Sequence, residues 1–271
     1  MKQTKRFASE HPLAFGLVVT FVFILLLVIS AVLGTLWPGE ETYGQPGSIL
    51  GRLISITILL MALSYLGWLR SAGFITLGGW ITWLEMVLLL AYAILASTFV
   101  ITGKVDFNLT DPSLTNLVIL FILIAAFLEE VAFRGLILHG FVRAWGNTRR
   151  GLIKSILGSS LLFCSIHLLD FLSGRPSLNV LLQSMQAFFL GIFLAALVLR
   201  SRSIYPAVFF HAIINLSGYL SFASQGIEPA PSAWLLLSLV LLPLAVLGIY
   251  QLRGWPDGPS VPSTAEYRRL I

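Results

Sequence analysis

An all-α, polytopic membrane protein with about eight transmembrane helices is the fold class this sequence predicts, and three observations predict it. Of the 271 residues, 57% are hydrophobic and only 11% charged, with a mean hydropathy of +0.92. A soluble domain carries about 25% charged residues. Apolar runs of about 20 residues recur along the chain, and each can cross a hydrocarbon core of roughly 30 Å at about 1.5 Å per residue. The basic residues, finally, segregate to alternate loops.

The elements follow in order. The first span, 13–36, is about 24 residues long, longer than a signal-peptide core, and no small-residue cleavage site follows it. It reads as a retained anchor, ended by "WPGEETYGQPG". The second, 49–69, stops at the glycine-bearing "RSAGFITLGG". The third covers 80–101 and the fourth 116–141, which carries "FLEEVAFRGL". The fifth, 152–172, ends at "SGRPS", and the sixth covers 178–199. The seventh, 204–222, is closed by "GIEPAPS" and the eighth covers 233–251. The Pro- and Ser-rich stretch "GWPDGPSVPSTAEYRRLI" reads as a mobile extension. This divides the chain into an N-terminal part (1–112), a core (113–224) and a last helix with its tail (225–271).

Charge sets the orientation. With the N-terminus in the cytoplasm, the cytoplasmic segments hold Lys2, Lys5, Arg6, Arg70, Arg143, Arg149, Arg150, Lys154, Arg200, Arg202, Arg253, Arg268 and Arg269. The opposite side holds Arg52, Lys104 and Arg175. Positive-inside bias therefore puts both termini in the cytoplasm. The net charge of +5 then faces anionic lipid headgroups, not nucleic acid. A single cysteine, Cys164, allows no intramolecular disulfide. The expected setting is a bacterial inner (plasma) membrane.

Charges within a bilayer are costly and mark function. Glu129, Glu130 and Arg134 lie in the fourth span, His167 in the fifth, and His211 with Asn215 in the seventh. Glu130 and Arg134 stand four apart, acid first, which suits an intrahelical ion pair. Glu129 is then the carboxylate without that partner. Phe163 and His167 share a face, as do His211 and Asn215. His139, beside Arg143, reads as interfacial, Glu85 as a residue at the boundary, and Phe163 as packing that orients the site.

A carboxylate and a histidine can hold and deprotonate a water. A second histidine and a carboxamide can stabilise an oxyanion. The set therefore suits hydrolysis of an acyl bond without a covalent intermediate. Glu129, His167 and His211 also suit a zinc ion, which would itself activate the water. The H-E-x-x-H helix is absent, since no histidine stands four residues from another.

These residues carry a resemblance. "EEVAFRG" resembles the first motif, EExxxR, of the CPBP family, which joins type II CAAX prenyl proteases, bacteriocin-processing proteases and abortive-infection proteins. "FCSIH", Phe163 to His167, is similar to its FxxxH motif, and "HAIIN", His211 to Asn215, to its HxxxN motif. Order and spacing fit, over a region from about 116 to 222. The resemblance implies an intramembrane endopeptidase with an eight-helix, all-α fold, acting on a membrane protein or a lipidated peptide. By it, Glu129 and His167 activate the water, His211 and Asn215 stabilise the oxyanion, and Glu130 and Arg134 are the supporting pair. The family carries both a metalloprotease label and a metal-free, glutamate-dependent mechanism, so zinc stays open. Two other classes compete: a non-catalytic immunity or scaffold protein that keeps the fold, and a proton-coupled transporter with Glu129 and the histidines as relay. The chain shows no obvious inverted repeat of the kind many transporters carry.

Overall fold

A computed structural model describes residues 2–36, 45–102, 116–221 and 229–254. The described residues are helical and contain no strand. A short helix, α1 (Lys2–Glu10), precedes α2 (Pro12–Thr35). Pro12 opens α2 and Pro46 opens α3 (Pro46–Tyr65), each in the first turn, where the missing N–H of proline costs nothing. Next come α4 (Trp80–Thr102) and α5 (Asn116–Glu130). A π-helical segment, Val131–Leu138, runs on from α5 into α6 (His139–Trp145). Then α7 (Arg149–Ile166) tightens into a 3-10 turn, His167–Ser173. The chain continues through α8 (Ser177–Ser201), α9 (Tyr205–Ser221) and α10 (Pro231–Gln251).

Among the described residues, six helices are long and apolar enough to cross a membrane: α2, α3, α5 through α6, α7 with its 3-10 turn, α8 and α10. Of the eight expected spans, α4 offers a shorter apolar stretch, Trp80–Ala96, and α9 has 17 residues. The protein is an integral membrane protein of all-α architecture. Its outward faces are apolar: Leu13, Leu17, Phe21, Val28 and Val32 of α2 are all exposed, which suits lipid.

Small residues set the closest helix approaches. A Cβ on Gly51 would lie 2.6 Å from the Cα of Ser30, and one on Gly47 would lie 2.2 Å from the carbonyl oxygen of Leu33. Ser30 Oγ donates to the Ser48 carbonyl at 2.9 Å across the same seam. Packing of this kind, with small residues and hydrogen bonds between helices, holds bundles together where lipid is as apolar as the side chains. The most enclosed of the six long helices is α8, which packs against α7, α9 and α10.

The loop 66–79 is laced to the turn between α8 and α9. Ile204 N donates to the Gly73 carbonyl at 3.2 Å, Ser203 Oγ to the Thr76 carbonyl at 2.6 Å, and Tyr205 Oη to the Phe74 carbonyl at 2.9 Å. Gly73 has φ +89, and a Cβ there would sit 3.0 Å from Ser203 Cα, so both conformation and space require glycine. This lacing fixes where α9 begins, and α9 carries His211 and Asn215.

The fold corrects the reading of His139 and adds contacts to Glu85 and Arg52. His139 is buried, not interfacial: its Nε2 lies 2.9 Å from Ser71 Oγ and its ring meets Trp68 edge-on at 5.1 Å. Glu85 bonds Arg200 of α8 and Gln251 of α10, so it clamps three helices together. Arg52 lies within α3, near the start of the expected second span.

Candidate active site

Glu129 and Glu130 are the last two residues of α5, at the junction where the π-helical segment begins. Wide π turns interrupt α-helices frequently at functional sites. This one occupies the turns that carry Arg134, and Ser159 Oγ of α7 donates to the Phe133 carbonyl within it at 2.9 Å.

The two glutamates have different surroundings. The Glu130 side chain is fully buried, whereas that of Glu129 is 16% exposed. Arg134 Nε lies 3.1 Å from Glu130 Oε2 in a sealed ion pair. Arg134 Nη2 donates to the Gly191 carbonyl of α8 at 3.3 Å, and its guanidinium carbon lies 4.5 Å from the centre of the Phe163 ring. Glu130 has a second partner that spacing alone does not reveal. Its Oε1 lies 2.8 Å from His211 Nδ1. With the Nδ1–H donating to that carboxylate, His211 is held in one orientation and its Nε2 is turned to Glu129, whose Oε2 stands 3.6 Å away.

Phe163, near the end of α7, is the hub of the cluster. It meets His167 at 5.4 Å and His211 at 5.7 Å between ring centroids, both edge-on, and Phe133 at 5.2 Å. His167 is the first residue of the 3-10 turn, half-buried, and within electrostatic reach of His211. Asn215 is half-buried one turn beyond His211 on α9. Direct contacts therefore join Glu129, Glu130, Arg134, Phe163 and His211. His167 joins through the Phe163 ring. No hydrogen bond among the described residues ties Asn215 to them.

The zinc set of Glu129, His167 and His211 is not assembled: among the described residues no three His, Cys, Asp or Glu side chains form a group that could hold a metal ion. His211 Nδ1 is engaged by Glu130, which leaves it one nitrogen for any other task.

One residue near the site was not among the candidates read from the sequence. Arg52 falls inside the apolar run 49–69, and that position was the signal for it. Its guanidinium carbon lies 4.3 Å from the Phe121 ring centre of α5, and it is near enough to Glu129 to interact electrostatically.

Fold and site together define a class: a polytopic helical membrane protein with a carboxylate–histidine cluster enclosed by α5, α7, α8 and α9. Residues 111–217 match the family model described as Rce1-like, type II CAAX prenyl endopeptidase. The matched segment overlaps the region, about 116 to 222, over which the three motifs carry their resemblance. No curated protein and no solved structure matches the chain.

Proposed function

We propose that the protein is an intramembrane endopeptidase that hydrolyses a peptide bond of a membrane-associated substrate, a membrane protein or a lipidated peptide of CAAX type. The observation that carries this reading is the asymmetry of the two glutamates. Glu130 is sealed between Arg134 and His211, and Glu129, beside it, is the accessible one.

In this reading Glu129, with His167 across the Phe163 ring, holds a water and takes its proton. The hydroxide adds to the scissile carbonyl carbon. The oxygen of that carbonyl becomes an oxyanion, stabilised by the His211 imidazole and by the Asn215 carboxamide. Glu129 then returns the proton to the departing amine nitrogen. Glu130 and Arg134 touch no reacting atom: Glu130 orients His211, and Arg134 balances the buried charge of Glu130. A zinc ion would supply a more acidic water, and the donor arrangement described above does not favour it. In this reading the protein sits in a bacterial inner membrane, and the distribution of its lysines and arginines supports cytoplasmic termini.

The test uses purified protein in detergent or nanodiscs and an internally quenched, lipid-anchored peptide. Cleavage that is lost in Glu129→Gln and survives chelators, in protein carrying less than one zinc per chain, supports this reading. Activity lost on chelation and restored by zinc would replace the water-activation step. Equal signals from wild type and Glu129→Gln would overturn the peptidase reading.

A further inference from the structure

The 3-10 turn His167–Ser173 begins with a histidine of the site, yet none of its seven residues is buried. Leu168, Leu169, Phe171 and Leu172 are all exposed. Apolar side chains gain little by packing where the surroundings are lipid. A core therefore does not fix this turn, and polar contacts do. Gly174 closes it in the left-handed region, with φ +77, a conformation that favours glycine although a Cβ there would meet nothing within 4 Å. The reversal brings Arg175 back onto the turn. Its Nη1 donates to Asp170 Oδ2 at 2.6 Å and to Gln183 Oε1 of α8 at 2.5 Å. Ser173 Oγ donates to the Asp170 carbonyl at 2.8 Å, and the guanidinium carbon of Arg175 lies 5.9 Å from the Trp234 ring centre of α10.

The register of the turn ties this latch to the site. A 3-10 helix repeats every three residues, so Asp170 stands on the face of His167, one turn on. A continued α-helix would carry Asp170 about 60° off that face. Asp170 and Arg175 are both within electrostatic reach of His167. One nitrogen of Arg175 thus joins the turn that carries His167 to α8. The same helix gives its Gly191 carbonyl to Arg134, so α8 is a common reference for both sides of the site.

We propose that Arg175 is a positioning residue for the hydrolysis: through Asp170 and Gln183 it sets the place of His167 relative to Glu129. This inference rests on the peptidase reading given above. Arg175 touches no reacting atom and acts through the turn. The turn has no core of its own to return it to place, and a misplacement of about 1 Å at a reacting centre costs about a hundredfold in rate. The competing role is closure of the connection between α7 and α8 for stability alone. The two roles differ in what loss of Arg175 does once His167 is gone.

The test takes the full chain in nanodiscs and an internally quenched, lipid-anchored peptide, with Glu129→Gln as the control that defines specific cleavage. Arg175→Met is expected to lower kcat about ten- to a hundredfold while KM changes by less than about twofold, as for a displaced catalytic group. Arg175→Lys is expected to keep most of the wild-type kcat, because one nitrogen makes both bonds and an ammonium can stand in for it. In a His167→Gln background, Arg175→Met is expected to lower the rate no further, since the two residues act as a unit. Wild-type kcat in Arg175→Met would overturn the assignment. So would a further loss of the same size in the His167→Gln background, which marks a general loosening of the fold. Glu129-dependent cleavage that ignores Arg175 removes this assignment alone. Equal signals from wild type and Glu129→Gln remove the peptidase reading, and this assignment falls with it.

Discussion

Two adjacent glutamates at the end of α5 have separate fates, decided by what reaches each of them. Glu130 meets Arg134 from its own chain segment and His211 from α9, and it is sealed. Replacing it by alanine leaves the Arg134 guanidinium buried without its counter-ion, at a cost of about 3–5 kcal/mol. Glu130→Ala is therefore expected to lower the thermal midpoint and the activity together, which a thermal-shift assay beside a turnover assay will show. Glu129 carries no such structural burden. Glu129→Gln is expected to lower turnover by about 10²–10⁴-fold, the usual contribution of a general base, with the midpoint nearly unchanged. The contact between Glu130 and Arg134 was legible in the sequence, because four residues is one helical turn. The bond from His211 to Glu130 was not, since it joins groups 81 residues apart and depends on how α9 docks. The approach of Arg52 to α5 was not legible either, since it joins groups far apart in the chain.

At the scale of elements, the site depends on two departures from regular α-helix and one close helix contact. The π segment Val131–Leu138 follows the glutamates directly, the 3-10 turn at His167 ends α7 at the histidine, and close contact between α7 and α8 brings the Gly191 carbonyl to Arg134. A Cβ at Gly191 would lie 3.0 Å from the Cβ of Ser160. Gly191→Val is expected to push α8 off α7 at an overpacking cost of roughly 1–3 kcal/mol. It is also expected to weaken the Arg134 bond, so activity falls more than stability does. Phe163 joins the pieces, and Phe163→Ala opens a cavity beside both histidines. Its expected cost is about 3–5 kcal/mol by chemical or thermal denaturation, with loss of turnover. The helices themselves were legible from apolar runs and from Gly and Pro between them, with ends within a few residues: the expected 178–199 is Ser177–Ser201, and 233–251 is Pro231–Gln251. Hydropathy carries no information on which i→i+4 bonds widen or tighten, so neither the π segment nor the 3-10 turn was visible.

At the scale of the molecule, large apolar side chains line much of the exterior as well as the core, and the buried acid–base pair among the described residues is Glu130 with Arg134. Glu85 ties α4 to Arg200 of α8 and to Gln251 of α10. Arg200→Ala is therefore expected to loosen α4, seen as faster proteolysis at the loop 66–79. The overall class was legible because composition alone separates membrane from soluble chains. Six of the eight expected spans have, among the described residues, a helix long and apolar enough to cross a membrane. The central claim is that Glu129 is the working carboxylate of an intramembrane peptidase. Its most direct test compares new peptide termini in the membrane proteome of cells that make the wild type with those that make Glu129→Ala at matched levels. The account predicts termini present only with the wild type, from membrane-associated proteins. Identical profiles, with any cellular phenotype kept by the variant, would contradict it.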